Sequence, residues 1–244
     1  MGLAYRVIPT VLCRGRQLVK GRQFAANRVV GHAAQAVRIH NQRGVDELVL
    51  LDIGATPEGR GPDLDLVREL SEACFMPLAV GGGIRSVEDV RALLNAGADK
   101  VVIGTEAVVV AKLAADRVGC QAVVVAIDVD ARGMVSWRGH TPTDLSPVTY
   151  ARQIEREGAG EILLTSIDRE GTMAGYDLKL IREVSAAVSI PVIANGGCSS
   201  YQDMAAAIKA GASAVAAGAL FQFTDATPRE AATFLHQQGI EARV

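Results

Sequence analysis

A lone carboxylate, Asp128, closes the apolar run VVVAI, where an acid either moves protons for a bound molecule or caps the next element. Two glycine-rich clusters accompany it. Gly81-Gly82-Gly83 pairs with Gly104-Thr105, and Gly196-Gly197 pairs with Gly218-Ala219; each follows an apolar run and precedes a helix-like stretch. Backbone N–H groups and a helix N-terminus converge at such points and can cradle phosphate, although glycine there also serves tight turns and close packing. Two cradles imply a long ligand with an anionic group at each end. Four further charges, Arg6, Glu47, Lys100 and Glu161, stand at the starts of apolar runs, where they form either a solvated rim or a ring of ion pairs. The four histidines, His32, His40, His140 and His236, have no ligand spacing. Cys13, Cys74, Cys120 and Cys198 have no CxxC pattern, so reduced thiols are expected, with no metal and no cofactor.

The elements that must position these residues follow from an internal repeat. GVDELVLLDI at Gly44 returns as GAGEILLTSI at Gly158, and MPLAVGGGIRSVEDV at Met76 returns as IPVIANGGCSSYQDM at Ile190, both at an offset of 114 residues. Each half carries about four strand-helix units, so the doubled chain predicts a (β/α)8 TIM barrel of two half-barrels, about 1–118 and 119–244, in one domain. The strands are expected over Arg6 to Leu12, Glu47 to Ile53, Pro77 to Gly81, Lys100 to Gly104, Ala122 to Asp128, Glu161 to Ile167, Pro191 to Asn195 and Ala214 to Gly218. These are apolar runs without alternation, as in parallel strands buried on both faces. Between them lie stretches of helical period such as Ser86 to Gly97, which a serine can cap and a glycine can end. The longest irregular stretch, Cys13 to about Gly31, carries Lys20 and Arg22 and reads as a lid over the mouth or as a solvated connection.

Composition excludes several classes. With a formal net charge of -2 and no basic run, the 244-residue chain is not built to bind nucleic acid. It has no apolar segment of membrane-spanning length and no signal-peptide layout at Met1, so a cytoplasmic location is expected.

The motifs VVVAID, GAGEILLTSIDREGT, GYD, GVDELVLLDI and VGGGIRS resemble the HisF family, the cyclase subunit of imidazole glycerol phosphate synthase, over essentially the whole chain. The resemblance implies a HisH-like glutaminase partner on the N-terminal face of the barrel and passage of ammonia through its interior. A bisphosphorylated ligand would be cleaved and cyclised at the C-terminal face. It assigns Arg6, Glu47, Lys100 and Glu161 to the ammonia gate. Asp128, Thr165, Lys20 and Glu170 would be catalytic, and Gly171 would join the phosphate-binding residues Gly82, Gly83, Gly104, Thr105, Gly196, Gly197, Gly218 and Ala219.

The chain departs from the family pattern where chemistry is expected. The family places one aspartate at the end of strand one and another at the end of strand five, an acid and a base on opposite sides of the substrate. Here Asp128 is kept, but Leu12 occupies the first place. Glu170 stands where the family has aspartate, Gly104 where it has asparagine, Asn195 where it has serine and Asp144 where it has glycine. Loss of one acid-base group lowers rates by about 10²- to 10⁴-fold. One reading is therefore a HisF-like, ammonia-using subunit diverged toward amidino-group formation, as in paralogues of acetamidino-sugar biosynthesis, which RVIP, EGRGPD and CFMPL resemble. The alternatives are the ordinary cyclase of histidine biosynthesis and a non-catalytic scaffold that activates a glutaminase.

Overall fold

The computed structural model describes residues 4–137 and 140–243. Strands β1 (Arg6–Arg14), β4 (Leu48–Asp52), β5 (Leu78–Gly81), β6 (Lys100–Ile103), β7 (Val123–Val129), β10 (Glu161–Ser166), β11 (Val192–Asn195) and β12 (Ala214–Ala217) pair in parallel in that order. The barrel closes where Arg6 to Pro9 lie in register with Ala214 to Ala217. Helices α1 (Ala33–Gln42), α2 (Leu64–Ser71), α3 (Val87–Asn95), α4 (Ala107–Val118), α5 (Pro147–Arg156), α6 (Leu178–Ser185), α7 (Tyr201–Lys209), α8 (Ala219–Phe223) and α9 (Pro228–Gln237) follow the strands around it.

The repeat reappears in the caps. Ser86 accepts a hydrogen bond from Asp89 N while Asp89 reaches back to the cap, and Ser200 with Asp203 does the same one half-barrel later. Asp63 and Asp177 each accept from the backbone N–H three residues on, at Leu66 and Leu180. Gly82 and Gly196 have positive φ, and a Cβ at either would press on a carbonyl oxygen, that of Asp52 and that of Ser166. Only glycine permits that approach.

The barrel interior is a separate apolar core. Ile8, Val49, Ala79, Val102, Val124, Leu163, Ile193, Ala214 and Ala216 are buried there, with Leu51 and Ala126 partly buried above them. The larger cluster lies outside, between strands and helices. Two contiguous apolar faces on every strand explain why the sequence shows runs rather than alternation.

The stretch expected to be irregular after strand one is ordered sheet. β1 continues to Arg14, and β2 (Gln17–Arg22) and β3 (Ala25–His32) form an antiparallel hairpin on it, with Cys13 opposite Leu18 and Lys20 opposite Arg28. Polar residues and a bulge interrupt the alternation of this hairpin, which hid it in the sequence. Its tip, where Gln23 and Phe24 have positive φ, is tied across the mouth by Gln23 N to Glu170 O at 2.9 Å and Gln23 Nε2 to Asp168 O at 2.9 Å. A second small hairpin, β8 (Ser136–Trp137) with β9 (Thr141–Pro142), follows β7.

Candidate active site

Side chains alternate along a strand, so those of β1 at Arg6, Ile8, Thr10 and Leu12 share the inner face from bottom to mouth. Glu47 precedes β4, Lys100 opens β6 and Glu161 opens β10, at the same lower level. The four charges meet there in a closed ring. Arg6 pairs with both Glu47 and Glu161, and Lys100 Nζ lies 3.0 Å from each of the same two carboxylates. Both glutamates are buried. Burial works against the Arg6 guanidinium, but Glu161 and then Glu47 hold its pKa above the ordinary value. Each buried carboxylate thus meets two cations, which is what makes its burial tolerable.

At the opposite end a cavity of about 330 Å³ opens among the loops that follow the strands. β1 and β7 are four strands apart in a ring of eight, so Leu12 and Asp128 stand on opposite walls, and both line the cavity. Leu12 presents an apolar surface to the cavity. Asp128, the penultimate residue of β7, is half-buried and lines the cavity. Burial raises its pKa to about 7, Thr165 favours the carboxylate and Glu170 opposes it. Near neutral pH this acid is therefore shared between its two forms, as proton transfer in either direction requires.

Asp128, Thr165 and Asn195 occupy neighbouring register positions on β7, β10 and β11. Asn195 Nδ2 donates to Thr165 Oγ1 at 3.1 Å, which leaves the Thr165 hydroxyl proton free for Asp128. The asparagine that departs from the family pattern thus orients a candidate site residue, a role its sequence position alone did not show. Lys20 reaches in from β2 and Glu170 from the loop after β10. Burial lowers the pKa of Lys20 and raises that of Glu170, and each partly offsets the shift of the other.

The glycines divide. Gly82, Gly83, Gly104 and Thr105 line the cavity, although Gly83 N already donates to Thr56 Oγ1 at 3.3 Å. Of the second set only Gly218 lines it. Gly196 and Gly197 pack instead against Ser166 and Gly175, Gly171 abuts Gly21 of the hairpin, and Ala219 is buried in the first turn of α8. Gly82 and Gly83 pack equally closely, against Asp52 and Arg60, so close backbone packing is common to both pairs and bordering the cavity distinguishes the first.

Asp52 organises loops as well as lining the cavity. Its Oδ1 accepts from Gly54 N at 3.0 Å and Gly15 N at 3.3 Å, and its Oδ2 from Arg60 at 3.2 Å. Trp137, Phe24 and Thr10 also face the cavity and were not among the expected site residues. The signal for Thr10 was a polar residue on the inner face of an otherwise apolar strand. Asp144 lies on the surface near Arg132, away from the cavity.

A family described as "Histidine biosynthesis protein" matches residues 6–227. The chain is 44% identical to the imidazole glycerol phosphate synthase subunit HisF of Dictyoglomus thermophilum and 46% identical to that of Hyphomonas neptunium. Each comparison spans 250 aligned positions and 99% of both chains. With the closed barrel and whole-length similarity together, the chain belongs to the histidine biosynthesis protein family, within its HisF group.

Proposed function

We propose that this chain is the cyclase-type subunit of a glutamine-dependent synthase of the imidazole glycerol phosphate synthase kind, using ammonia that a HisH-like glutaminase delivers at the bottom face. The observation that carries the reading is the stacking of three layers on one axis: the ring of Arg6, Glu47, Lys100 and Glu161, the apolar interior above it, and Asp128 at the cavity. The ring would act as the gate and the interior as a path that does not protonate ammonia. The cavity would hold a phosphorylated ligand, with Gly82, Gly83, Gly104 and Thr105 as one anion cradle and Gly218 contributing to the other. Whole-chain similarity to HisF subunits favours this reading over a departure to amidino-group formation, which draws on Leu12, on the smaller departures at Glu170, Gly104, Asn195 and Asp144, and on short motifs.

The deciding assay is turnover of the bisphosphorylated ribulosyl carboxamide of histidine synthesis by the purified chain with an ammonium salt, which removes the glutaminase from the measurement. Ammonium-dependent turnover is expected, at least about 10²-fold slower than in a cyclase with acids on both walls. Leu12 favours one second reading, an acceptor whose chemistry needs a single acid-base group. Tight binding of the histidine intermediate without turnover would support it, and absence of both binding and turnover would sink the cyclase reading.

A further inference from the structure

Gly104 and Gly218 stand at equivalent strand ends of the two half-barrels, 114 residues apart, and both line the cavity. Their surroundings differ. A Cβ built at Gly218 would overlap Lys20 Nζ, so in the second half the hairpin lysine already fills the place of a side chain. A Cβ at Gly104 would meet no atom within 4 Å, and the φ of Gly104 is not in the left-handed region. Neither close packing nor backbone conformation therefore calls for glycine here. Gly82 and Gly83 in the same cradle are of the opposite kind, with positive φ and with Asp52 and Arg60 pressed against them. What the missing side chain at Gly104 leaves is room in the cavity.

The lining of that room limits what fits it. Ile103 lies in register with Val125, so the next residues towards the mouth, Gly104 and Ala126, are neighbours, and both border the cavity. Asp128 follows Ala126 on the same face of β7, and Thr105 and Glu106 follow Gly104 at the rim. Small apolar surface with hydroxyl and carboxyl groups beside it suits a group with carbon faces and polar edges. Elsewhere in the same cavity Lys20 Nζ and Thr10 Oγ1 are buried without a hydrogen-bond partner, the mark of a space completed by a ligand. We propose that Gly104 sets the width of that ligand: the room beside it takes the ring of a ring-bearing phosphate monoester whose phosphate lies in the cradle of Gly82 and Gly83. An open chain would leave the wall of Gly104 and Ala126 without contact atoms and forfeit their dispersion energy, whereas a ring covers it. The proposal rests on the phosphorylated-ligand part of the cyclase reading, and adds which kind of ester the first cradle accepts.

Substitution at Gly104 tests this without endangering the fold, because the first added atom meets open space. Glucose 6-phosphate, which carries a ring, glycerol 3-phosphate, an open chain, and inorganic phosphate are titrated into the full chain by calorimetry. Trp137, the only tryptophan, lines the cavity and reports by fluorescence that binding occurs there. The unaltered chain is expected to bind glucose 6-phosphate at least about threefold more tightly than glycerol 3-phosphate, as for added contact area. Gly104→Ala should weaken glucose 6-phosphate about threefold and Gly104→Asn at least about tenfold, as for side chains forced into a filled space. Glycerol 3-phosphate and inorganic phosphate should stay within about twofold in both variants, since the backbone N–H groups of the cradle are retained. Unchanged glucose 6-phosphate affinity in Gly104→Asn overturns the proposal, and so does an unaltered chain that binds glucose 6-phosphate no more tightly than glycerol 3-phosphate. Equal losses for all three probes overturn it too, and make the new side chain an obstacle to the phosphate itself. If no probe binds the unaltered chain, the proposal falls together with the phosphorylated-ligand reading.

Discussion

At the bottom of the barrel two buried carboxylates each face two cations, whereas at the mouth Asp128, Glu170 and Lys20 form no ion pair among the described residues. The same strands build both ends. β10 carries Glu161 in the ring and Thr165 at the cavity, and β1 carries Arg6 below and Thr10 above. The difference lies in compensation. A closed set of opposite charges removes its own desolvation penalty and leaves nothing for a ligand to satisfy. An open set keeps shifted pKa values and unpaired donors, and those are the properties that bind and transform a substrate. On this comparison the ring is a structural device first, and the proposed gating would require its pairs to break one at a time.

The largest effect should come from the mouth. Asp128→Asn removes the remaining acid-base group and should lower ammonium-dependent turnover by about 10³-fold in a steady-state assay, with ligand affinity little changed. An unaffected rate would move the chemistry elsewhere and erase the contrast between the two ends. Leu12→Asp should act in the opposite direction, raising turnover about tenfold or more if the pocket is otherwise competent. The same change should lower stability by about 2 kcal/mol in a denaturant titration, since it buries a carboxylate in place of leucine.

The pH dependence of stability separates the ends further. Asp128 holds its proton more tightly when folded, with a pKa of about 7 against about 4 in an unfolded chain, so ionisation works against folding. The native state binds more protons between these values, and this group's contribution to stability therefore falls as pH rises from about 4 to 7. Asp128→Asn should accordingly be more stable than the unaltered chain at pH 8, by up to about 4 kcal/mol, with the gain vanishing toward pH 4. The rate profile should show a limb near pH 7 that Asn195→Ala displaces, because the Thr165 hydroxyl then loses its orientation toward Asp128.

In the ring the sign differs. Arg6→Met leaves Glu47 and Glu161 sharing Lys100 alone and should destabilise the fold by about 1–3 kcal/mol in thermal unfolding. The value is moderated because the Arg6 side chain is 22% exposed. Turnover with added ammonium should change least of all, by under about threefold, because ammonia supplied in bulk can reach the mouth directly. A drop as large as that of Asp128→Asn would show that the two ends are not separable.

Much of this was legible from residue order alone. The offset between Gly44 and Gly158 sets eight parallel strands, the caps at Ser86 and Ser200 set the helices that follow them, and VVVAID puts an acid at a strand end. Those are local or periodic properties, carried by neighbours in the chain. The tertiary structure decided what depends on residues far apart. Arg6 meets Glu161 across 155 positions, Asn195 turns Thr165 toward Asp128 across the sheet, and Gly218 makes room for Lys20 of the hairpin. It also decided that Gly82 borders the cavity and its repeat mate Gly196 does not, although both lie close against the carbonyl oxygen of a neighbouring strand end. A twofold sequence repeat fixes where glycines fall along the strands, but the packing of the loops above them determines which backbone remains open to a ligand.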